Sequence, residues 1–241
     1  MFLLPLALIV PAVLCAAVVA YGIDPYWAQY RWGVDLIMTS RRLQWPLVAA
    51  TVVLVIGLLA MVIAGKRRVW WLIALLPVLA LFVHRFATSP LNALAIVENP
   101  ALVDGSATGA FLNDEDHVVG VVFEGNAYAY PYACLFITPV VIQQDYDQRM
   151  MIVWSAFANR ALAFRIDREI KARELEIVSI PANALLLYNA RVGQFINGVT
   201  GRDREGKPPA GVREALPVTK TTWARWRATH PQSRVMPPQR T

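Results

Sequence analysis

Two long uncharged stretches dominate the first third of the chain. Residues 1–23 carry no charged side chain, and neither do residues 43–65. A helix needs about 20 predominantly apolar residues to cross the hydrocarbon core of a bilayer. A third apolar stretch, residues 69–84, is shorter, but the arginines at its ends can extend their charged groups to the interface. The pattern predicts three membrane spans, at about residues 2–22, 44–65 and 69–86.

The segment between the first two predicted spans, residues 24–42, mixes tyrosine and tryptophan with arginine. Such side chains concentrate at the membrane–water interface. The segment is therefore predicted to be interfacial, either as a simple aromatic belt or as a short amphipathic helix that docks lipid or a partner helix. The first stretch lacks the basic region of a signal peptide, and we expect it to be a retained span.

The hydrophobic pattern changes to short β-type runs in the second half of the chain. A valine-rich run covers His117–Phe123, the turn sequence Glu124-Gly125-Asn126 follows, and a second strand is predicted at residues 127–130. Further strands are predicted at residues 150–155, 161–166, 174–180 and 184–188. Several short strands with little helix indicate a mainly-β (β-rich α+β) extramembrane domain.

These patterns predict four regions along the chain. The order is a three-span membrane α-helical region, a connector, the β-rich domain and a disordered tail. Their predicted bounds are residues 1–86, 87–112, 113–231 and 232–241.

Composition and charge support a membrane protein. The hydrophobic fraction is 56% and the charged fraction 17%, against about 45–50% and about 25% in ordinary soluble domains. These values exclude a disordered chain and argue against an ordinary soluble enzyme. The net charge is +6, and residues 1–86 hold seven Lys or Arg against two acids. The basic excess therefore flanks apolar stretches, and no nucleic-acid partner is expected.

The orientation in the membrane is nearly balanced by the positive-inside rule. Basic residues lie on both sides whichever way the spans are threaded. The tight basic turn Lys66-Arg67-Arg68 favours a cytoplasmic N-terminus, and this orientation puts residues 87–241 outside the cytoplasm.

The two cysteines do not indicate a metal or redox site. Cys15 lies in the first apolar stretch and Cys134 in the β-rich domain, and the chain has no Cys-x-x-Cys motif. A zinc ribbon or thioredoxin-type motif is thereby excluded. We predict no cofactor and no metal.

Four sequence pieces, in this order, resemble the bacterial family called domain of unknown function 3179. They are Ala95-Ile96-Val97-Glu98-Asn99-Pro100, Asn113-Asp114-Glu115-Asp116-His117-Val118-Val119-Gly120, Gly125-Asn126-Ala127-Tyr128-Ala129-Tyr130-Pro131, and Thr222-Trp223-Ala224-Arg225-Trp226-Arg227 with His230-Pro231. The resemblance covers about residues 92–236. Members of the family are often exported or membrane-anchored, which also favours an extracytoplasmic domain.

The chain departs from this family where the family's chemistry is expected. A His-Glu pair of the family corresponds to Thr138 and Pro139, and its Cys-Pro-Leu-Cys corresponds to Ser155-Ala156-Phe157-Ala158. A later Asn-Ser-Asp becomes Ala182-Asn183-Ala184. Serine and alanine cannot replace thiolates as soft metal ligands or as a redox pair. The resemblance therefore implies the family's fold without its chemistry.

Other candidate sites have simple structural interpretations. The acidic run 114–117 is expected to be a solvated turn, because consecutive residues before a strand point to alternate faces. Trp223 and Trp226, three residues apart, lie on one helix face. They are predicted to clamp a helix onto a sheet, although they could also stack on a ligand.

The sequence leaves three hypotheses for function. The first is a non-catalytic accessory or scaffold subunit in the bacterial inner membrane, whose partners are the lipid bilayer and other membrane-protein subunits. The second is an envelope enzyme, redox or hydrolytic, with a relocated site. The third is a small-molecule sensor. The candidate ligand-binding residues, in the last two cases, are Tyr130, Trp154, Ser155 and Asn159.

Overall fold

The computed structural model describes residues 3–64, 69–88 and 90–239. The chain divides into two compact units, Met1–Asn92 and Ala93–Thr241. The Lys66-Arg67-Arg68 turn, which bears on the predicted orientation, lies outside the described residues.

The first unit contains three helices, α1 (Leu3–Tyr21), α2 (Gly33–Ala64) and α3 (Leu75–Val83). A 3-10 turn precedes α3, and a π-helical turn and a second 3-10 turn follow it. In the described residues, three helical stretches are long and apolar enough to cross a membrane, namely Leu4–Tyr21, Gly33–Ala64 and Trp71–Ala93. These stretches indicate a membrane protein, as predicted.

Helix α2 begins well before the span predicted from residue 44. The predicted interfacial segment contains only one short 3-10 turn, Pro25–Gln29, before the helix starts at Gly33. A Cβ atom at Gly33 would lie 1.6 Å from the carbonyl oxygen of Trp27, so this close approach requires glycine. The sequence analysis placed this start too late because it followed the uncharged stretch only. An α-helix can continue through charged residues such as Arg41, whereas a stretch that spans the hydrocarbon core excludes them.

Small and polar side chains hold the first unit together. Ala12 and Ala16 of α1 pack against Val78 of α3, as expected where membrane helices approach closely. Gln44 and Arg85 are both buried, and a guanidinium nitrogen of Arg85 donates to the amide oxygen of Gln44 at 3.3 Å. A polar contact of this kind satisfies groups that would otherwise face hydrocarbon.

The second unit is β-rich and has three sheets in its described part. Sheet A has the strand order β1-β5-β6-β7-β11, sheet B has β12-β3-β4-β13-β2, and sheet C has β10-β9-β8. The strands are β1 (Ile96–Glu98), β2 (Val103–Asp104), β3 (His117–Phe123), β4 (Asn126–Pro131), β5 (Val140–Asp145), β6 (Gln148–Ser155), β7 (Arg160–Ile166), β8 (Leu175–Ser179), β9 (Leu186–Asn189), β10 (Gln194–Asn197), β11 (Val212–Leu216), β12 (Val218–Thr222) and β13 (Arg234–Val235). Two short helices complete it, α4 (Tyr132–Leu135) and α5 (Trp223–Thr229).

The predicted fold class, membrane helices followed by a β-rich domain, is confirmed. The valine-rich run forms β3 as predicted, and β4, β6, β7, β8 and β9 overlap the other predicted strands. The predicted connector contains β1 and β2. The tail from residue 232, predicted to be disordered, instead supplies β13, which pairs with both β4 and β2. A two-residue strand has no periodicity of its own, and only its partners elsewhere in the chain reveal it.

Strand β6 is buried on both faces. Met150, Ile152 and Trp154 point into the core between sheets A and B, where Val119 and Tyr128 also lie. The alternate residues of β6 are buried on the opposite face, where Ser155 bonds to backbone groups beside sheet C. Sheets A and B are also connected through the chain, since only residue 217 separates β11 from β12.

Helix α5 packs its two tryptophans on the outer face of sheet B. Trp223 and Trp226 are buried with Val118 and Ala129 of the neighbouring strands. This arrangement confirms the predicted clamp. It also explains Gly120, where a Cβ atom would lie 2.4 Å from the ring of Trp226.

Replacing Gly120 with alanine should therefore destabilise the second unit. The added methyl group overpacks the tryptophan contact, and we expect a loss of about 1–3 kcal/mol in the free energy of unfolding. Denaturant unfolding of the full chain in detergent, followed by tryptophan near-UV circular dichroism, measures this loss. Gly109→Ala is the matched control, because a Cβ atom there meets nothing within 4 Å. Equal stability of the two variants would contradict the assignment.

Candidate functional site

The candidate site lies at one end of sheet A. Trp154 and Ser155 end strand β6, and Asn159 belongs to the turn that leads into β7. Tyr130 lies near the end of β4 in sheet B. The end of the loop between α4 and β5 continues the pairing of β5 with β6, since the amide of Trp154 donates to the carbonyl of Pro139 at 2.8 Å.

Ser155 connects sheets A and C. Its hydroxyl donates to the carbonyl of Gly198 and accepts from the amide of Leu185, both at 3.1 Å. The side chain is 1% exposed. A Cβ atom at Gly198 would lie 2.8 Å from Leu185 and 3.1 Å from the Ser155 hydroxyl, so glycine permits this approach. The hydroxyl is thereby engaged as both donor and acceptor, and no base lies among these partners to activate it as a nucleophile.

Aromatic side chains cover Trp154. The ring centroids of Tyr132 and Phe136 lie 4.7 and 4.8 Å from that of the indole. The hydroxyl of Tyr132 also donates to the side-chain oxygen of Asn159 at 3.3 Å. Trp154 is consequently 1% exposed, whereas Phe136 is 60% exposed. We call Tyr132, Phe136, Trp154 and Asn159 the Trp154 cluster.

Tyr132 and Phe136 are the members of this cluster that the sequence analysis missed. Tyr128, Tyr130 and Tyr132 are spaced by two residues, which is the period of one strand face, although β4 ends at Pro131 and Tyr132 begins α4. Tyr128 and Tyr130 lie in the core, and Tyr132 packs against it. This period of two was the available indication. The sequence analysis selected Tyr130, which is fully buried.

The buried tyrosines remain neutral. Burial raises the pKa of Tyr130 well above its usual value. Burial, and then the hydrogen bond to Asp145, raise the pKa of Tyr128; its hydroxyl donates to that carboxylate at 2.7 Å. Within the described residues, the hydroxyl of Tyr130 and the indole nitrogen of Trp154 have no hydrogen-bond partner. Both groups are therefore held by packing and neither is poised for proton transfer.

The other positions that correspond to the family's motifs also serve the local structure. The hydroxyl of Thr138 donates to the carbonyl of Cys134 at 2.7 Å. Ala182 and Asn183 are exposed and form a tight turn with φ of 49° and 66°. This turn leads to Leu185, whose amide donates to Ser155. The side chains at these positions thus serve local turns and hydrogen bonds.

The acidic run at residues 114–117 forms a hydrogen-bonded turn. Asp116 accepts from the amide of Asn113 at 2.7 Å, and Asp114 pairs with Arg227 of α5 at 2.9 Å. In the part of the chain that the structure describes, no three His, Cys, Asp or Glu side chains are grouped to hold a metal ion. The interpretation as a turn accords with these contacts.

The chain thus combines candidate membrane helices with a three-sheet β domain whose motif positions are structurally engaged. Residues 93–241 match the family model described as protein of unknown function (DUF3179), and the chain belongs to this family. This confirms the resemblance found in the sequence. Neither the curated proteins nor the solved structures contain a match to the chain.

Replacing Ser155 with alanine should weaken the connection between sheets A and C. The buried amide of Leu185 loses its acceptor, which costs about 1–3 kcal/mol of unfolding free energy. Hydrogen exchange of the full chain in detergent should show faster exchange at Leu185. Ser106→Ala, at an exposed serine, should change stability by less than about 0.5 kcal/mol. Unchanged protection of the Leu185 amide in Ser155→Ala would refute the role of this hydroxyl.

Proposed function

We propose that this protein is a membrane-anchored extracytoplasmic binding or scaffold protein, a non-catalytic accessory subunit of an assembly in the bacterial inner membrane. The observation that carries the proposal is the burial and hydrogen bonding of the Ser155 hydroxyl. At the position of the family's first motif cysteine, this chain has a buried hydroxyl that joins two sheets. The residue at this position supports the fold and is shielded from solvent.

The neighbouring motif positions support the same conclusion. Thr138 is buried and bonds back to its own helical turn, and Pro139 contributes a carbonyl to Trp154. An enzyme with a relocated site would need polar groups that converge near the Trp154 cluster and reach solvent. Instead, Tyr132 and Phe136 cover this end of β6. The covering is apolar, which suits a contact surface better than a reaction site.

A sensor that stacks a ligand on tryptophan is less well supported. Such a site needs an exposed ring face, as in carbohydrate or aromatic recognition. Trp154 and Trp223 are each 1% exposed. Both rings are already stacked or packed on the protein's own side chains.

The proposed location has two supports. The three candidate spans give the membrane anchor, and the family's frequent export favours the periplasmic side for the β domain. The domain also has no Cys-x-x-Cys and a single, buried cysteine, so it needs no reducing compartment for its fold.

The proposed role is tested by purification of the tagged full chain from its native host in a mild detergent. We expect a membrane-protein partner at a constant stoichiometric ratio by mass spectrometry, with metal below one equivalent in the same sample. A mock purification from the untagged strain is the control. A chain that purifies alone with a stoichiometric metal or cofactor would overturn the accessory role.

The proposed side of the membrane is tested with Tyr146→Cys. Tyr146 is 86% exposed in the turn between β5 and β6. In a Cys15→Ser background, Cys134 is the other thiol; burial raises its pKa to about 11, which keeps it protonated and unreactive near pH 7. A membrane-impermeant maleimide should label Tyr146→Cys in spheroplasts as strongly as in lysed cells. Labelling that requires lysis would place the domain in the cytoplasm.

A further inference from the structure

Three large apolar side chains are exposed at the end of sheet A that carries the Trp154 cluster. Phe136 is 60% exposed, Ile137 50% and Phe157 73%. Phe136 and Ile137 precede β5, and Phe157 lies in the turn between β6 and β7. We call these three residues the apolar tip. Exposed aromatic and aliphatic groups collected at one end of a domain mark an interaction surface.

The chain enters the second unit at this same end. The amide of Ala95 donates to the carbonyl of Ile137 at 2.8 Å. The third candidate span ends at Ala93, and two residues extend at most about 7 Å. The short chain connection and this hydrogen bond therefore keep the carbonyl oxygen of Ile137 within about 10 Å of Ala93, the last residue of that candidate span.

Strand register places Phe157 at this end as well. Strand β1 starts beside the start of β5, with Ile96 opposite Val140, and Val140 lies opposite Val153 near the end of β6. Phe157 follows two residues after β6 ends. The two loops of the apolar tip and the entry of the chain therefore share one end of sheet A.

The chemistry around the apolar tip suits a lipid interface. The chain carries no charged residue from 86 to 97, so the connection itself is compatible with the headgroup region. Exposed cations stand beside the tip. Arg160 begins β7, and the ammonium of Lys220 donates to the carbonyl of Asn159 at 2.6 Å. Aromatic residues flanked by cations are favoured at bilayer interfaces with anionic lipid.

We propose that the apolar tip inserts into the interfacial region of the bilayer that anchors the chain, so that the β domain has a lipid contact in addition to the spans. The bilayer is favoured over a protein partner because the end of the third span brings it within reach of the tip. This inference rests on the candidate spans and is independent of the accessory role, since a partner could still bind elsewhere on the domain.

The test compares labels at both ends of one strand. Phe136→Cys and Phe157→Cys place a label in the tip, and Tyr146→Cys places one beyond the opposite end of β5. Each variant is made in the full chain with Cys15→Ser, labelled with an environment-sensitive fluorophore and reconstituted in nanodiscs containing anionic lipid. Lipids with a nitroxide near the headgroup should cause a loss of emission at positions 136 and 157, while the label at 146 keeps its emission.

Two results would overturn the proposal. Labels at 136 and 157 that aqueous iodide quenches as strongly as the label at 146 would show a tip in water. Labels shielded from both iodide and nitroxide lipids would show a tip covered by protein, either a partner or a second copy. In either case the co-purification expected for the accessory role would be unaffected.

A measurement on the unaltered chain tests the same lipid contact without relying on the folding of the cysteine variants. Hydroxyl-radical footprinting in the same nanodiscs should oxidise Phe136 and Phe157 less than their exposed fractions predict, relative to Tyr146. Transfer to detergent-free denaturant should remove this protection. Oxidation of all three side chains in proportion to exposure would contradict the lipid contact.

Discussion

The structure of the β domain depends on the burial of strand β6 on both faces. One face supplies Met150, Ile152 and Trp154 to the core shared with sheet B. The other face ends in Ser155, which bonds to the backbone beside sheet C. A strand in this position packs against a layer on each of its faces, so a change in its residues alters the packing of both layers. The end of β6 is therefore constrained by packing before any function is considered.

This constraint defines what the fold requires of the residue at position 155. A residue at position 155 must fill a small buried space and satisfy a backbone amide and carbonyl. Serine meets these demands. Since a fold alone does not specify a function, membership of the family leaves the role of this chain to its own side chains.

The sequence predicted the elements whose signals are local. The apolar stretches predicted the membrane helices, and the valine run predicted β3. The spacing of Trp223 and Trp226 predicted the clamp that helix α5 forms. Strand β13 was missed because its pairing partners lie far along the chain. The early start of α2 was missed because the helix continues through charged residues such as Arg41. The candidate residues Trp154, Ser155 and Asn159 do lie at one end of sheet A, but their contacts with Tyr132, Leu185 and Gly198 depend on long-range pairing.

The position of β13 has a consequence for biogenesis. This strand lies between β4 and β2, although both of its neighbours precede it by more than a hundred residues. During synthesis, the hydrogen-bonding edge of β4 thus stays open until Arg234 and Val235 have left the ribosome. The membrane helices are complete long before that point. Anchoring consequently precedes closure of sheet B, and the nascent domain spends the interval with an unpaired strand edge already confined beside the bilayer.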